Sequence, residues 1–74
     1  MNIIFTPSRL LKRRKELGLS QQAVADLAGI TGTTYCLLEN GRNVPLVTTF
    51  ARVAHALSKP PAYFFTEQTP VKAA

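Results

Sequence analysis

The sequence predicts an all-α fold, a compact bundle of five short helices, and three observations predict it. Residues that cap helix starts stand at Thr6, Ser20 and Thr31. Glycines stand where helices would stop, at Gly18, Gly29 and Gly41. Between these marks apolar residues recur three and four apart, most clearly at Val47, Phe50, Val53, Ala54 and Leu57. A chain of 74 residues has the length of one domain, and 46% apolar residues suffice for one core. A domain this small buries only ~60% of its unfolded surface, so its stability margin is narrow.

The elements follow in order. Residues 1–6 form an extended N-terminal arm, in which Ile3, Ile4 and Phe5 have strand-like character. Thr6 can cap the first helix and Pro7 suits its first position, so the helix runs over residues 7–17 and stops at Gly18. Ser20 caps a second helix that ends near Ala28, with Val24, Leu27 and Ala28 as its apolar stripe. Thr31 caps a third, ending near Asn40, with Tyr35 and Leu38 turned inward. Small residues mark tight crossings: Ala25 lets the third helix approach the second, and a side chain at Gly29 would oppose both backbone and packing. Pro45 precedes the fourth helix, over residues 47–57. Pro60 and Pro61 open a short fifth helix carrying Tyr63, Phe64 and Phe65. Residues 66–74 are polar and unpatterned, as in a flexible tail, which leaves residues 7–65 as the folded domain.

Charge and composition exclude several functions. Nine Lys and Arg against four Asp and Glu give +5 at pH 7, which suits an anionic partner, double-stranded DNA better than a membrane. No apolar run approaches the ~20 residues that span a bilayer. The first five residues lack the features of a signal peptide, so the expected location is cytoplasmic. Cys36 has no second cysteine to pair with, and Cys36 and His55 alone cannot build a metal cluster. No cofactor or small-molecule ligand is expected. No paired carboxylates, nucleophile with its base, or phosphate loop suggests an enzyme.

The stretch 20–41 reads as two short helices joined by a tight turn at Gly29, the helix-turn-helix arrangement that lays one helix in the major groove of DNA. Its order is specific: Leu17, Gly18, Leu19, Ser20 and Gln21; then residues 24–30, with Ala28, Gly29 and Ile30; then Leu38, Glu39, Asn40 and Gly41; then Pro45 and the pattern ending at Leu57. In these residues the chain resembles the Xre/Cro/lambda-repressor family of DNA-binding domains, over about residues 8–65. The resemblance implies a lambda-repressor-like bundle and a transcriptional regulator, a repressor in the first place, acting as a homodimer.

Candidate DNA-binding residues follow from the residues and the resemblance together. The second helix's N-terminus can hold a phosphate on its free N–H groups, with Gln21 and Gln22 adding amide contacts. The third is the recognition helix, presenting Thr31, Gly32, Thr33, Thr34, Cys36 and Leu37. Thr33 and Thr34 can hydrogen-bond bases and touch a thymine methyl, Leu37 offers apolar contact, and Gly32 allows close approach. This face lacks Arg, Gln and Asn for bidentate readout, so specificity leans on DNA shape and phosphate contacts, or Cys36 and Leu37 serve a protein partner. The family runs the loop with Asn40, Arg42 and Asn43 along the DNA backbone. Arg14 shares a helical stripe with Leu10 and Leu17, and the family pairs this position with the one matching Glu39. Lys12, Arg13 and Lys15 read as general attraction.

For dimerisation the chain offers Ile3, Ile4 and Phe5 at one end and Tyr63 and Phe65 at the other, while Phe64 matches a family core residue. The arm either extends as a strand that pairs with its symmetry mate or covers the partner's helices, or it folds onto its own fifth helix. The linker Ser58, Lys59, Pro60 and Pro61 departs from the family, so the orientation of the last helix is open. Thr6 to Leu10, with Thr48, Thr49 and Phe50, are also similar to HipB-type antitoxins, which bind a toxin protein and regulate their own operon.

Overall fold

The computed structural model describes residues 2–68. The order is β1 (Asn2–Phe5), α1 (Pro7–Glu16), α2 (Gln21–Ala28), α3 (Gly32–Glu39), α4 (Val47–Ala56), a turn of 3-10 helix (Pro61–Phe64) and β2 (Phe65–Gln68). Among the described residues there are four α-helices, not five. The fifth is this single 3-10 turn: Pro61 supplies a helical start, but the backbone is already extended at Phe65 (φ −110°, ψ 143°). The competing interaction is non-local. β2 pairs antiparallel with β1, Phe5 opposite Phe65 and Ile4 opposite Thr66, so the chain leaves the helix as soon as it meets the arm. The arm therefore lies on its own chain. The strand carries order to Gln68, past the boundary expected at 65, and residues 69–74 of the expected tail lie outside the described residues.

A two-stranded sheet alone is marginal in water. Here aromatic packing holds it: ring centroids lie 5.5 Å apart for Phe5–Phe50, 5.8 Å for Phe5–Phe65 and 5.1 Å for Phe50–Phe65. Edge-on aromatic pairs contribute about 0.5–1.5 kcal/mol each beyond area burial. Polar ties add to this. Thr6 N–H donates to the Phe64 carbonyl at 2.8 Å, and the Thr6 and Thr66 hydroxyls meet at 2.6 Å. Thr6 thus occupies the N-cap position of α1 without capping it, because its hydroxyl is taken by β2. Arg13 is also structural: its Nε donates to the Leu57 carbonyl at 2.8 Å, tying α1 to the end of α4.

The core comprises Leu10, Val24, Ala25, Ala28, Tyr35, Leu38, Phe50, Val53, Ala54, Leu57 and Phe64, one contiguous cluster drawn from all four helices and the 3-10 turn. Two residues counted in the apolar stripes lie outside it. Leu27 is 65% exposed and Val47 86% exposed.

Candidate nucleic-acid interface

The interface is built by α2 and α3. Ser20, in extended backbone, accepts the Ala23 N–H on its Oγ at 3.0 Å and so starts α2. Gly29 takes φ 72°, and Ile30 N–H donates back to the Ala25 carbonyl at 3.0 Å, closing the turn. A Cβ at Gly29 would meet nothing nearer than Arg52 Nη1 at 3.9 Å. Only the backbone demands glycine there; the packing conflict expected from the sequence does not exist. Thr31 then starts α3, accepting the Thr34 N–H on its Oγ1 at 3.1 Å while its own hydroxyl donates to Thr34 Oγ1 at 2.8 Å.

An ion pair braces α3 from behind. Arg14 Nε donates to Glu39 Oε2 at 2.9 Å and Nη2 to Oε1 at 2.8 Å, a two-pronged pair whose side chains are 14% and 5% exposed. Arg14 Nη1 also donates to the Leu19 carbonyl at 3.0 Å, linking α1, the α1–α2 loop and α3. Gln21 Nε2 donates to Glu39 Oε1 at 3.2 Å, so one amide proton is committed to the scaffold. Burial alone would raise the Glu39 pKa, but the Arg14 and Gln21 hydrogen bonds outweigh it and hold the carboxyl below its ordinary value. The Tyr35 hydroxyl is buried beside the pair without a hydrogen bond of good geometry. Burial first, then the Glu39 carboxylate, push that phenol's pKa well up.

In front of this brace, Gln21, Gln22, Gly32, Thr33, Cys36 and Leu37 line an open groove of about 480 Å³. Thr31 and Thr33 are exposed; Gly32, Thr34, Cys36 and Leu37 are half-buried. Gln22 is held in place, its Nε2 donating to Asp26 Oδ1 at 2.8 Å while its Oε1 occupies the space a Gly32 Cβ would need. Gly32 therefore admits the Gln22 amide across the start of α3. Asn40 is exposed and its Nδ2 donates to Cys36 Sγ at 3.3 Å. Arg42 and Asn43 are exposed in the loop after α3, which is anchored by Arg42 N–H donating to the Leu37 carbonyl at 2.9 Å.

The structure thus gathers Gln21, Gln22, Gly32, Thr33 and Leu37 on one surface, with Asn40, Arg42 and Asn43 just beyond it. The holds of Asp26 on Gln22 and of Asn40 on Cys36 were missed, although both pairs have the four-residue spacing of helical neighbours. The residues offered for dimerisation separate. Ile3 and Ile4 are exposed, and Phe5 and Phe65 are half-buried against Phe50. Tyr63 is engaged within its own chain, with Arg9 at 5.4 Å and Lys59 at 4.9 Å from its ring centroid. Among the described residues no group of three His, Cys, Asp or Glu could hold a metal, and no helix is long and apolar enough to cross a membrane.

Two capped helices at a tight left-handed turn, the second open to solvent on its outer face, define a helix-turn-helix DNA-binding protein. The helix-turn-helix family HTH_3 matches residues 10–64, and the chain belongs to this Xre/Cro/C1-type family of DNA-binding transcriptional regulators. It is 42% identical over 48 residues to an uncharacterized HTH-type transcriptional regulator of Methanothermobacter thermautotrophicus, covering 65% of this chain and 70% of that one. Among solved structures it is similar to the restriction-modification controller protein C.AhdI from Aeromonas hydrophila, with 29% identity, TM-score 0.77 and coverage of 80% and 89% of the two chains. The DNA-binding domain of the P22 c2 repressor is similar as well, with 25% identity, TM-score 0.77 and coverage of 86% and 84%. The family and these neighbours are DNA-binding regulators, not enzymes.

Proposed function

We propose that the chain is a repressor that binds its operator as a homodimer, each copy placing α3 in the major groove of one half-site. The observation that carries this reading is the open groove between α2 and α3, lined by Gln21, Gln22, Gly32, Thr33, Cys36 and Leu37 and free of charged side chains. A surface without charge but with amide, hydroxyl and methyl groups suits base edges better than phosphates. Thr33 and Gln22 read bases, with Leu37 and Thr34 against a thymine methyl. The first turns of α2 and α3, with Gln21 and Thr31, the loop residues Asn40, Arg42 and Asn43, and the net charge of +5 serve the phosphates. One short helix makes few base contacts, so two copies on half-sites about one helical turn apart supply the specificity. The P22 c2 repressor and the controller protein C.AhdI support a repressing or controlling role. They lend no specific support to the antitoxin alternative.

A mobility-shift titration on the duplex upstream of the chain's own gene tests the reading. Thr33→Ala should narrow the gap between that duplex and a scrambled one. Arg42→Ala should weaken both alike and reduce the slope of log K against log salt by about 1. Binding indifferent to both substitutions would refute the assignment of α3 and its loop.

A further inference from the structure

The groove between α2 and α3 holds a glycine that the backbone does not require. Gly32 opens α3 in helical backbone, unlike Gly18, Gly29 and Gly41, whose φ values are positive. Alanine would favour the helix at this position. What glycine provides is room. A Cβ on Gly32 would run into Gln22 Oε1 and lie 3.3 Å from its Cδ and 3.7 Å from its Nε2, so the three nearest atoms all belong to one amide. The Gln22 amide therefore lies where the first side chain of α3 would stand. Its polarity is fixed as well. Nε2 donates to Asp26 Oδ1 at 2.8 Å, and a carboxylate only accepts, so the nitrogen end must face Asp26. One Nε2 proton is spent there; the other proton and Oε1 remain. Gln21, the other amide lining the groove, is half-buried and turned to Glu39, whereas Gln22 is exposed.

We infer that Gln22 is the adenine-reading residue of this interface, standing in from α2 for the side chain that Gly32 lacks, and that Asp26 positions it. The inference rests on the placement of α3 in the major groove and names the base read there. An adenine edge presents N7 as an acceptor beside N6 as a donor, and a glutamine amide meets the two with one N–H and its carbonyl oxygen. Those are the groups that Asp26 leaves free. A guanine edge presents two acceptors, N7 and O6, and would set O6 against Oε1. On the lining face of α3, Thr33 has one hydroxyl and Cys36 and Leu37 have no amide, so the two-pronged contact that α3 lacks is supplied by its neighbour. The negative charge of Asp26 opposes DNA binding in general. Its contribution is orientation, not affinity.

The test is selection of duplexes from a library randomised over the half-site, followed by competition between the four bases at each selected position. The full chain is compared with Q22A, G32A, Q22A/G32A, D26A and D26E. The wild type should show a position where adenine is preferred about tenfold over guanine. Q22A should flatten that position and leave the ratios at the others unchanged. G32A should flatten the same position, because its Cβ displaces the amide, and Q22A/G32A should be no worse than either single variant. D26A should bind duplexes lacking that adenine more tightly, through the lost negative charge, yet cut the preference about threefold, since a free side chain must then be ordered on binding. D26E, still an acceptor only, should retain the preference. A purely electrostatic or folding role for Asp26 would change affinity or stability and leave the ratio between bases alone. The group displaced in G32A is the free end of a flexible side chain, so its circular dichroism should match the wild type; if it unfolds, Q22A and D26A carry the test. A preference that survives Q22A or G32A, or that falls on a base other than adenine, overturns the assignment of Gln22, and an unchanged ratio in D26A overturns the role of Asp26. Selection retained at the other positions would then leave α3 in the groove standing. A wild type that selects no sequence overturns that placement too.

Discussion

At the scale of single residues, the position of α3 depends on one buried pair. Arg14 and Glu39 are both largely withdrawn from water, and each is the main partner of the other. Replacing one member of such a pair leaves a charge without compensation and costs about 3–5 kcal/mol. Glu39→Gln should therefore lower stability by about 3 kcal/mol at pH 7, read by urea unfolding. The Glu39 pKa is lowered from 4.5 in the folded state, so the unfolded chain takes up this proton first as pH falls. The pair's stabilisation is fully present above about pH 4.5 and is lost as pH falls through the depressed folded value. The gap between wild type and Glu39→Gln should accordingly narrow below that pH; a constant gap down to pH 3 would mean that the carboxylate's charge contributes nothing. The inward turn of Arg14 was legible from its spacing with the buried Leu10, although Leu17, placed on the same stripe, is 38% exposed. The role of Arg13 was not, because its partner is a carbonyl 44 positions away.

At the scale of elements, local chemistry was the readable part. Ser20 and Thr31 cap as their types suggest, and Gly29 adopts the left-handed backbone that ends α2. Since space is open around Gly29, Gly29→Ala should cost only the backbone term, about 1–2 kcal/mol in thermal unfolding. A loss of 4 kcal/mol would reveal packing that the geometry lacks. The last helix was misread because Pro60 and Pro61 carry the same signal for an α-helix and for a single 3-10 turn. What decides between them is the pairing of Phe65–Gln68 with Asn2–Phe5, a contact between the two ends of the chain that no local pattern encodes. Apolar spacing likewise could not show which side of a helix a neighbour covers. Val47 fits the stripe of Phe50, Val53, Ala54 and Leu57, yet among the described residues it stays 86% exposed.

At the scale of the whole molecule, two surfaces of different chemistry are held apart by one core. The groove between α2 and α3 carries amide, hydroxyl and small apolar groups, and the cavity beside α4 and the sheet is wholly apolar in character. The first was legible because caps and turn fix its position in the sequence. The second was half legible: Phe5 and Phe65 stood out as apolar residues at the two ends, but the exposure of Val44 and Val47 beside them is a property of the assembled fold. The most direct measurement is an amide NMR titration of the labelled protein with the duplex from its own upstream region. Signals of residues 20–22, 31–37 and 40–43 should move together and saturate, with those along the outer side of α4 unmoved at constant protein association state. Shifts confined to α4 and the sheet, with residues 31–37 silent, would contradict the placement of α3 on DNA.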